Sequence, residues 1–290
     1  MTVQIGNIEI GRQQPLFLIA GPCMIESWDQ IYSTASALKQ ICKDLGINYV
    51  FKASFDKANR TSYGSHRGPG IDKGLDMLAE IKAKLGLPVL SDIHETWQCA
   101  KAAEVLDIIQ IPAFLCRQTD LVYEAAKTGK AVNIKKGQFV APLDIIHSVN
   151  KVREAGNNNV FVTERGTSFG YNNLVVDYRS IPMIQSQDCP LIFDATHSVQ
   201  LPSAAGGVSG GDRRYIPSLT RAALAAGCDG LFMEVHPNPD EAKSDSATQI
   251  PLAQIKDLLE QCVQVYDLVR NMREIRLPDK GQCSQAALAR

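Results

Sequence analysis

The chain opens on two short alternating runs, Val3-Gln-Ile and Ile8-Glu-Ile, on either side of Gly6-Asn7. Period-two alternation around a two-residue Gly-Asn turn predicts a small β-hairpin within residues 1–12. Short apolar runs then alternate with stretches in which apolar residues recur every three or four positions. The apolar runs are Pro15–Ala20, Tyr49–Phe51, Pro88–Ile93, Ile108–Ala113, Ala131–Lys136, Val160–Arg165, Leu191–His197 and Leu231–His236, and each predicts a buried strand. Helices are predicted over 29–45 before Gly46, over 71–85 before Gly86, near 96–105, and over 118–128 before Gly129. A further helix is expected between Pro142 in its first turn and Gly156 past its end, and a last one from Leu252 to Val269. Residues 278–290 are small and polar and read as a frayed tail.

Eight strands alternating with helices, with no linker-like stretch, predict an α/β fold of one domain over residues 1–290: a single (β/α)8 TIM barrel with the N-terminal hairpin covering one end. A doubly wound open sheet is the alternative. It would offer a glycine-rich phosphate turn after an early strand, but the proline of Gly68-Pro69-Gly70 lacks the amide such a turn donates. The chain has neither a Walker-type loop nor a Gly-x-Ser-x-Gly elbow.

Composition narrows the partners. Of 290 residues, 45% are hydrophobic and 21% charged, with a net charge of −1. A neutral whole disfavours nucleic acid or an anionic membrane as partner, whereas local cation clusters suit a small anionic ligand. The N-terminus carries no basic region or long apolar run, and no segment approaches the ~20 apolar residues of a membrane span. The eight cysteines are scattered without close pairs, which suits free thiols and a cytoplasmic protein.

The chemistry collects at strand ends, where a barrel places its active site. Read in order, the ends carry Cys23, Lys52, Asp92, Gln110, Lys135, Arg165, His197 and Glu234. Burying so many polar groups without partners would be costly, so together they predict a functional site. Lys52, Lys57, Arg60, Lys135 and Arg165 exceed the needs of one phosphate and point to two anionic substrates, or to one with several anionic groups. Cys23, His197 and Glu234 come from strands one, seven and eight, which closure makes neighbours. With Asp245 as a possible fourth ligand, they form a set that divalent metals accept. A packing cysteine and a hydrogen-bonded structural histidine remain the alternative.

Several long motifs resemble the 3-deoxy-D-manno-octulosonate 8-phosphate synthase family. They are Ile19-Ala-Gly-Pro-Cys23 with Glu26-Ser27, Phe51-Lys-Ala-Ser-Phe-Asp-Lys-Ala-Asn-Arg60, Ile109-Gln-Ile-Pro-Ala-Phe-Leu-Cys-Arg-Gln-Thr-Asp120, Asn133-Ile-Lys-Lys-Gly-Gln138, Thr163-Glu-Arg-Gly166 through Asn173, and Asp194-Ala-Thr-His-Ser-Val-Gln200. The resemblance runs from about Pro15 to Val269. It implies an enzyme, usually a homotetramer, that condenses phosphoenolpyruvate with D-arabinose 5-phosphate and releases phosphate. The product feeds the Kdo sugar of lipopolysaccharide. By resemblance, Lys52, Ser54 and Lys57 hold the phosphoenolpyruvate carboxylate. Lys135, Arg165, Gln110, Pro112 and the backbone at Ala113 surround its phosphate. Asn59 and Arg60 take the sugar phosphate, with Thr61 standing where the family has Ser, and Arg117 reaches that phosphate from a neighbouring subunit. Asp92 and His197 handle protons, and Lys52 and Lys57 complete the catalytic group. Cys23, His197, Glu234 and Asp245 match the ligands of the metal-dependent branch, which implies Zn, Fe, Mn or Co; the metal-independent branch has Asn at position 23.

Three other functions fit some of these residues. A sister synthase uses erythrose 4-phosphate, but typically reads Lys-Pro-Arg-Thr where this chain has Lys57-Ala-Asn-Arg60. A Schiff-base aldolase would use Lys52 or Lys135. A non-enzymatic sugar-phosphate-binding barrel has no need of four metal-type residues.

Overall fold

The computed structural model describes residues 2–60, 62–205, 208–273 and 275. Thr61 and the tail expected over 278–290 lie outside the described residues. Strands β1 (Val3–Ile5) and β2 (Ile8–Ile10) form the expected antiparallel hairpin, with Gly6 at φ 57° in the turn. The barrel follows as β3 (Phe17–Gly21), β4 (Asn48–Lys52), β5 (Val89–Asp92), β6 (Ile108–Ile111), β7 (Ala131–Lys135) and β8 (Val160–Glu164). A short pair, β9 (Thr167–Ser168) and β10 (Leu174–Val175), precedes the next barrel strand, β11 (Leu191–Asp194). A second hairpin, β12 (Gln200–Ala205) with β13 (Val208–Gly211), precedes the last, β14 (Gly230–His236), and β15 (Ile250–Pro251) pairs with the end of β14. The eight barrel strands are parallel in the order β3-β4-β5-β6-β7-β8-β11-β14, and β14 pairs back to β3, so the sheet closes.

The helices α1 (Trp28–Leu45), α2 (Ile71–Leu85), α3 (Gln98–Ala103), α4 (Thr119–Lys127), α5 (Ile146–Glu154), α6 (Ser180–Gln185), α7 (Ile216–Ala225) and α8 (Ile255–Arg270) alternate with the barrel strands and bury one face each. In α1 the buried positions are Ile31, Thr34, Ala35, Leu38 and Cys42, the three-and-four spacing of an amphipathic helix. The Ser27 side chain accepts from Gln30 N at its start, and Gly46 closes it in the left-handed conformation. Among the described residues, no helix is long and apolar enough to cross a membrane.

Two cores result. One lies between the sheet and the helices. The other fills the barrel, where Val3, Ile5, Ile8 and Ile10 pack against Phe17, Ile108, Ala131, Phe161 and Phe232. The hairpin therefore plugs the N-terminal end, as its alternation predicts, and leaves the opposite end for chemistry.

Most boundaries differ from the sequence reading by one to three residues, and three of the differences have a local cause. The seventh barrel strand stops at Asp194, because Asp194 Oδ1 accepts from Thr196 N (3.1 Å) and His197 N (2.8 Å) and turns the chain. His197 thus opens a 3-10 turn, His197–Val199, beyond the strand. The fourth stops at Ile111, because Pro112 cannot continue the ladder, and a 3-10 turn spans Ala113–Leu115. Pro142 lies in a run of turns ahead of α5, not in its first turn.

Candidate active site

The polar strand ends converge on one cavity of about 530 Å³, lined by Lys52, Asp92, Gln110, Lys135, Arg165, His197 and Glu234. Loop residues Lys57, Asn59, Arg60, Pro112, Ala113 and Asp245 complete its wall. Gly21 shapes the floor between β3 and β4: a Cβ there would collide with the Lys52 carbonyl, so only glycine lets the strand ends approach. Cys23 and Ser54 are buried and lie off the lining. Arg117 is exposed and does not line the cavity of its own chain.

One side of the cavity is anionic. Cys23, Glu234 and Asp245 each offer a ligand atom, all within 4.8 Å of one another. Cys23 Sγ donates to Asp245 Oδ2 at 3.0 Å. Asp245 holds φ at 48°, a conformation that its short polar side chain tolerates. Glu234 Oε1 accepts from Lys52 Nζ at 2.8 Å, whereas its Oε2 is buried without a hydrogen-bond partner. An unpartnered buried carboxylate oxygen beside a thiol and a second carboxylate fits a cation. His197 stands at the edge of this group. Its Nδ1 is 2.8 Å from Asp194 Oδ2, and its Nε2 faces Glu234 Oε1 at 3.7 Å. A carboxylate behind the imidazole is the arrangement that orients a metal-binding histidine.

The electrostatics agree. Burial pushes the Cys23 thiol well up, and Glu234 and Asp245 push it further against the pull of Lys57 and Lys52, so a bound cation would favour its ionisation. Burial also opposes the charge on Glu234, but Lys52, His197 and Lys57 outweigh it and hold the carboxyl well below the usual range. The sulfur, oxygen and imidazole donors together suit a borderline divalent ion.

Cations stand against these anions: Lys52 Nζ and Lys57 Nζ lie 2.8 and 3.8 Å from Glu234 Oε1. Burial pulls the Lys135 ammonium below its ordinary value, against the attraction of Asp194 and Glu234. Its Nζ donates to Asp194 Oδ2 and sits 3.4 Å from the centroid of Phe232. For Lys57, burial is outweighed by Cys23, Glu234, Asp92 and Asp245, and the ammonium stands well above its ordinary value. The two arginines are held differently. Arg165 donates to Gln138 Oε1 (2.8 Å) and Gln200 Oε1 (2.5 Å), and Arg60 to the carbonyls of His66 (3.0 Å) and Lys243 (3.2 Å). Neutral acceptors fix both guanidinium groups while leaving their charge for an anion.

The structure gives one assigned residue a partner and adds several residues. The resemblance gives Ser54 to a substrate carboxylate, but its hydroxyl donates to Asp92 Oδ2. A hydroxyl has one proton, and an ionised carboxylate can only accept, so donation to a substrate carboxylate would require Ser54 to leave Asp92. Sequence reasoning gave no role to Asp194, although it orders Lys135, Thr196 and His197 at once. Gln200 was also missed: its amide oxygen takes Arg165, and its nitrogen donates to Asp245 Oδ1 at 2.8 Å. That contact leaves Asp245 Oδ2 facing Cys23. Both residues lie in the motif Asp194–Gln200, where they could have been noticed. Buried Lys136 donates to the carbonyl of Val140 (3.1 Å) and to Thr167 Oγ1 (3.3 Å), tying together the loops after β7 and β8.

The chain has clear relatives. A model of the DAHP synthetase I family matches residues 1–271. A protein of Desulfotalea psychrophila named 2-dehydro-3-deoxyphosphooctonate aldolase is 59% identical over 259 residues, covering 89% of this chain and 92% of the relative. Proteins with the same name from Francisella tularensis subsp. holarctica and Desulfosudis oleivorans are 52% and 56% identical, over 95% and 91% of this chain and 100% and 95% of theirs.

Proposed function

The chain belongs to the DAHP synthetase I family, and from that membership we propose that it condenses phosphoenolpyruvate with D-arabinose 5-phosphate and water. The products are 3-deoxy-D-manno-octulosonate 8-phosphate and inorganic phosphate. The observation that carries the reading is one cavity that gathers Lys52, Lys57, Arg60, Lys135 and Arg165 beside the Cys23, Glu234 and Asp245 group. Two polyanions repel each other in water, and a preorganised set of cations offsets that repulsion and supplies proximity.

Lys135, Arg165, Gln110, Pro112 and the Ala113 backbone receive the phosphate of phosphoenolpyruvate. Lys52 and Lys57 receive its carboxylate. Asn59 and Arg60 receive the sugar phosphate at the far rim. Thr61 belongs to the same group by resemblance. Carbon 3 of the enol attacks the aldehyde, positive charge develops at carbon 2, and water adds there. The resulting hemiketal phosphate then loses inorganic phosphate by carbon–oxygen cleavage. Asp92 handles a proton of this sequence. Burial raises its carboxyl, but Lys57 and Lys52 overcome this and keep it well below the usual range, so it begins as a base. His197, fixed by Asp194 through Nδ1, has Nε2 left to present; that nitrogen handles a proton where no ion is bound and is a ligand where one is. Cys23, Glu234 and Asp245, with His197, would hold a divalent ion such as Zn, Fe, Mn or Co. When bound, such an ion supplies Lewis-acid charge for the aldehyde or water.

A Schiff-base route would need Lys52 or Lys135 released from its partner, whereas Lys52 is paired with Glu234 and Lys135 with Asp194. We further propose a cytoplasmic homotetramer in which Arg117 completes a neighbour's sugar-phosphate site. The test of substrate is phosphate release measured with both aldose phosphates. The expected result is a kcat/KM for arabinose 5-phosphate at least about a hundredfold above that for erythrose 4-phosphate. Comparable values would replace this reading with the four-carbon sister activity.

A further inference from the structure

Toward the C-terminal end of the barrel, β5 to β8 each contribute one member to a connected row of buried polar side chains: Asp92, Gln110, Asn133 and Thr163. Asp92 stands opposite Gln110 in the strand register, and Gln110 opposite Asn133. Barrel interiors are ordinarily filled with branched apolar residues. Here the polar groups form a chain with one direction. Thr163 Oγ1 donates to Asn133 Oδ1 at 2.7 Å, and Asn133 Nδ2 donates to Gln110 Oε1 at 2.8 Å. Gln110 Nε2 donates to Asp92 Oδ1, and Ser54 Oγ donates to the other carboxylate oxygen.

The direction follows from Asp92 alone. An ionised carboxylate only accepts, so Gln110 must turn its NH2 toward it. That leaves the Gln110 oxygen facing Asn133, which must then present its own NH2. The Asn133 oxygen consequently faces Thr163, whose hydroxyl closes the chain as donor. Apolar residues of equal volume would fill this space without any desolvation cost. What the polar version adds is a fixed orientation for the carboxylate at its end. We propose that Thr163 and Asn133 are positioning residues for the reaction, acting through Gln110 to hold Asp92 as an oriented acceptor at the substrate cavity. The proposal rests on the assignment of proton handling to Asp92.

Removing the Thr163 hydroxyl leaves the buried Asn133 oxygen without its donor. Asn133 then shifts to recover a partner, Gln110 shifts with it, and the hold on the Asp92 carboxylate loosens. The experiment compares Thr163→Val, Thr163→Ser and Asp92→Asn in the full chain by steady-state kinetics in both substrates, with thermal denaturation as a control. Thr163→Val is expected to lower kcat about tenfold while both KM values stay within about twofold, because the carboxylate is misplaced and the anion-binding cations are untouched. Thr163→Ser, which keeps the donor, is expected to restore kcat to within about threefold of the parent. Should Thr163→Val fail to fold, Thr163→Cys replaces it. It is close in size and a weak donor, and the same loss of kcat at constant KM is expected. A folded Thr163→Val or Thr163→Cys enzyme with parental kcat overturns the relay. If Asp92→Asn is impaired in the same series, the role of Asp92 survives that failure. If Asp92→Asn keeps parental kcat, both the role of Asp92 and the relay are wrong.

Discussion

Cys23 shows how a single residue can decide the chemistry of the site. Its thiol is buried, bonded to Asp245, and raised well above its ordinary range by burial and the neighbouring carboxylates. As a packing residue it would need no such neighbours. As a ligand it ionises against a cation, and the unpartnered Glu234 Oε2 gains a partner in the same event. Chelation is therefore expected to abolish turnover and added divalent ion to restore it. Cys23→Ala is expected to weaken ion binding at least about tenfold, since one of few ligands is gone. Cys23→Asn is expected to keep part of its activity in chelator, because an amide can both donate to Asp245 and accept from a neighbour. Competition titration of the ion and assays with and without chelator read these outcomes. Full activity of a wild-type preparation shown to be metal-free by elemental analysis would return Cys23 to packing. The candidate donors were legible in the sequence because thiol, imidazole and carboxylate announce their chemistry. Gln200 was not, since an amide announces little until its two charged neighbours, Arg165 and Asp245, are seen on either side.

Elements were legible where a period and a stop signal coincided. Helix α2 runs from Ile71 to Leu85 as read, because its apolar spacing ends on Gly86 in the left-handed conformation. Helix α6 gave no such reading: it has six residues, includes Pro182, and is too short to establish a period. The turn after β11 was hidden for another reason, since Asp194 closes it with side-chain bonds that apolar patterning does not register. The N-terminal hairpin was read from alternation around the Gly6-Asn7 turn, and its consequence is mechanical. Ile10 is fully buried in the plug, at the opposite end of the barrel from Lys52. Ile10→Ala is expected to destabilise the fold by about 2–5 kcal/mol while leaving kcat of the folded enzyme within about twofold. Denaturant unfolding and a parallel assay separate the two effects. An unchanged midpoint, or a loss of kcat without loss of stability, would show that the hairpin does not act as a plug.

At the scale of the whole molecule, large apolar rings stand exposed in three loops at the C-terminal end of the barrel. Phe114, Phe139 and Phe169, in the loops after β6, β7 and β8, are 52%, 59% and 66% exposed. Large apolar rings clustered by their place in the fold suit a covering subunit. Arg117 lies three residues beyond Phe114, exposed and away from the cavity of its own chain, while Arg60 lines that cavity. If Arg117 serves a neighbour, each sugar-phosphate site combines Arg60 of one chain with Arg117 of the next. Arg117→Ala alone is then expected to raise KM for arabinose 5-phosphate about tenfold or more, with KM for phosphoenolpyruvate nearly unchanged, because only one anion loses a partner. Arg60→Ala should behave similarly. The informative experiment mixes the two. In a hybrid, an Arg117→Ala subunit retains Arg60 and receives an intact Arg117 from an Arg60→Ala neighbour. Random assembly therefore rebuilds about one site in four, and activity at low sugar phosphate should rise above that of either parent. Subunits exchanged under mild denaturant, or co-expressed with two tags and purified through both, provide the hybrid. If Arg117 acts within its own chain, every hybrid site keeps one defect and no activity returns. A fully active monomer at assay concentration gives the same answer by another route, since no neighbour is then present to lend its arginine.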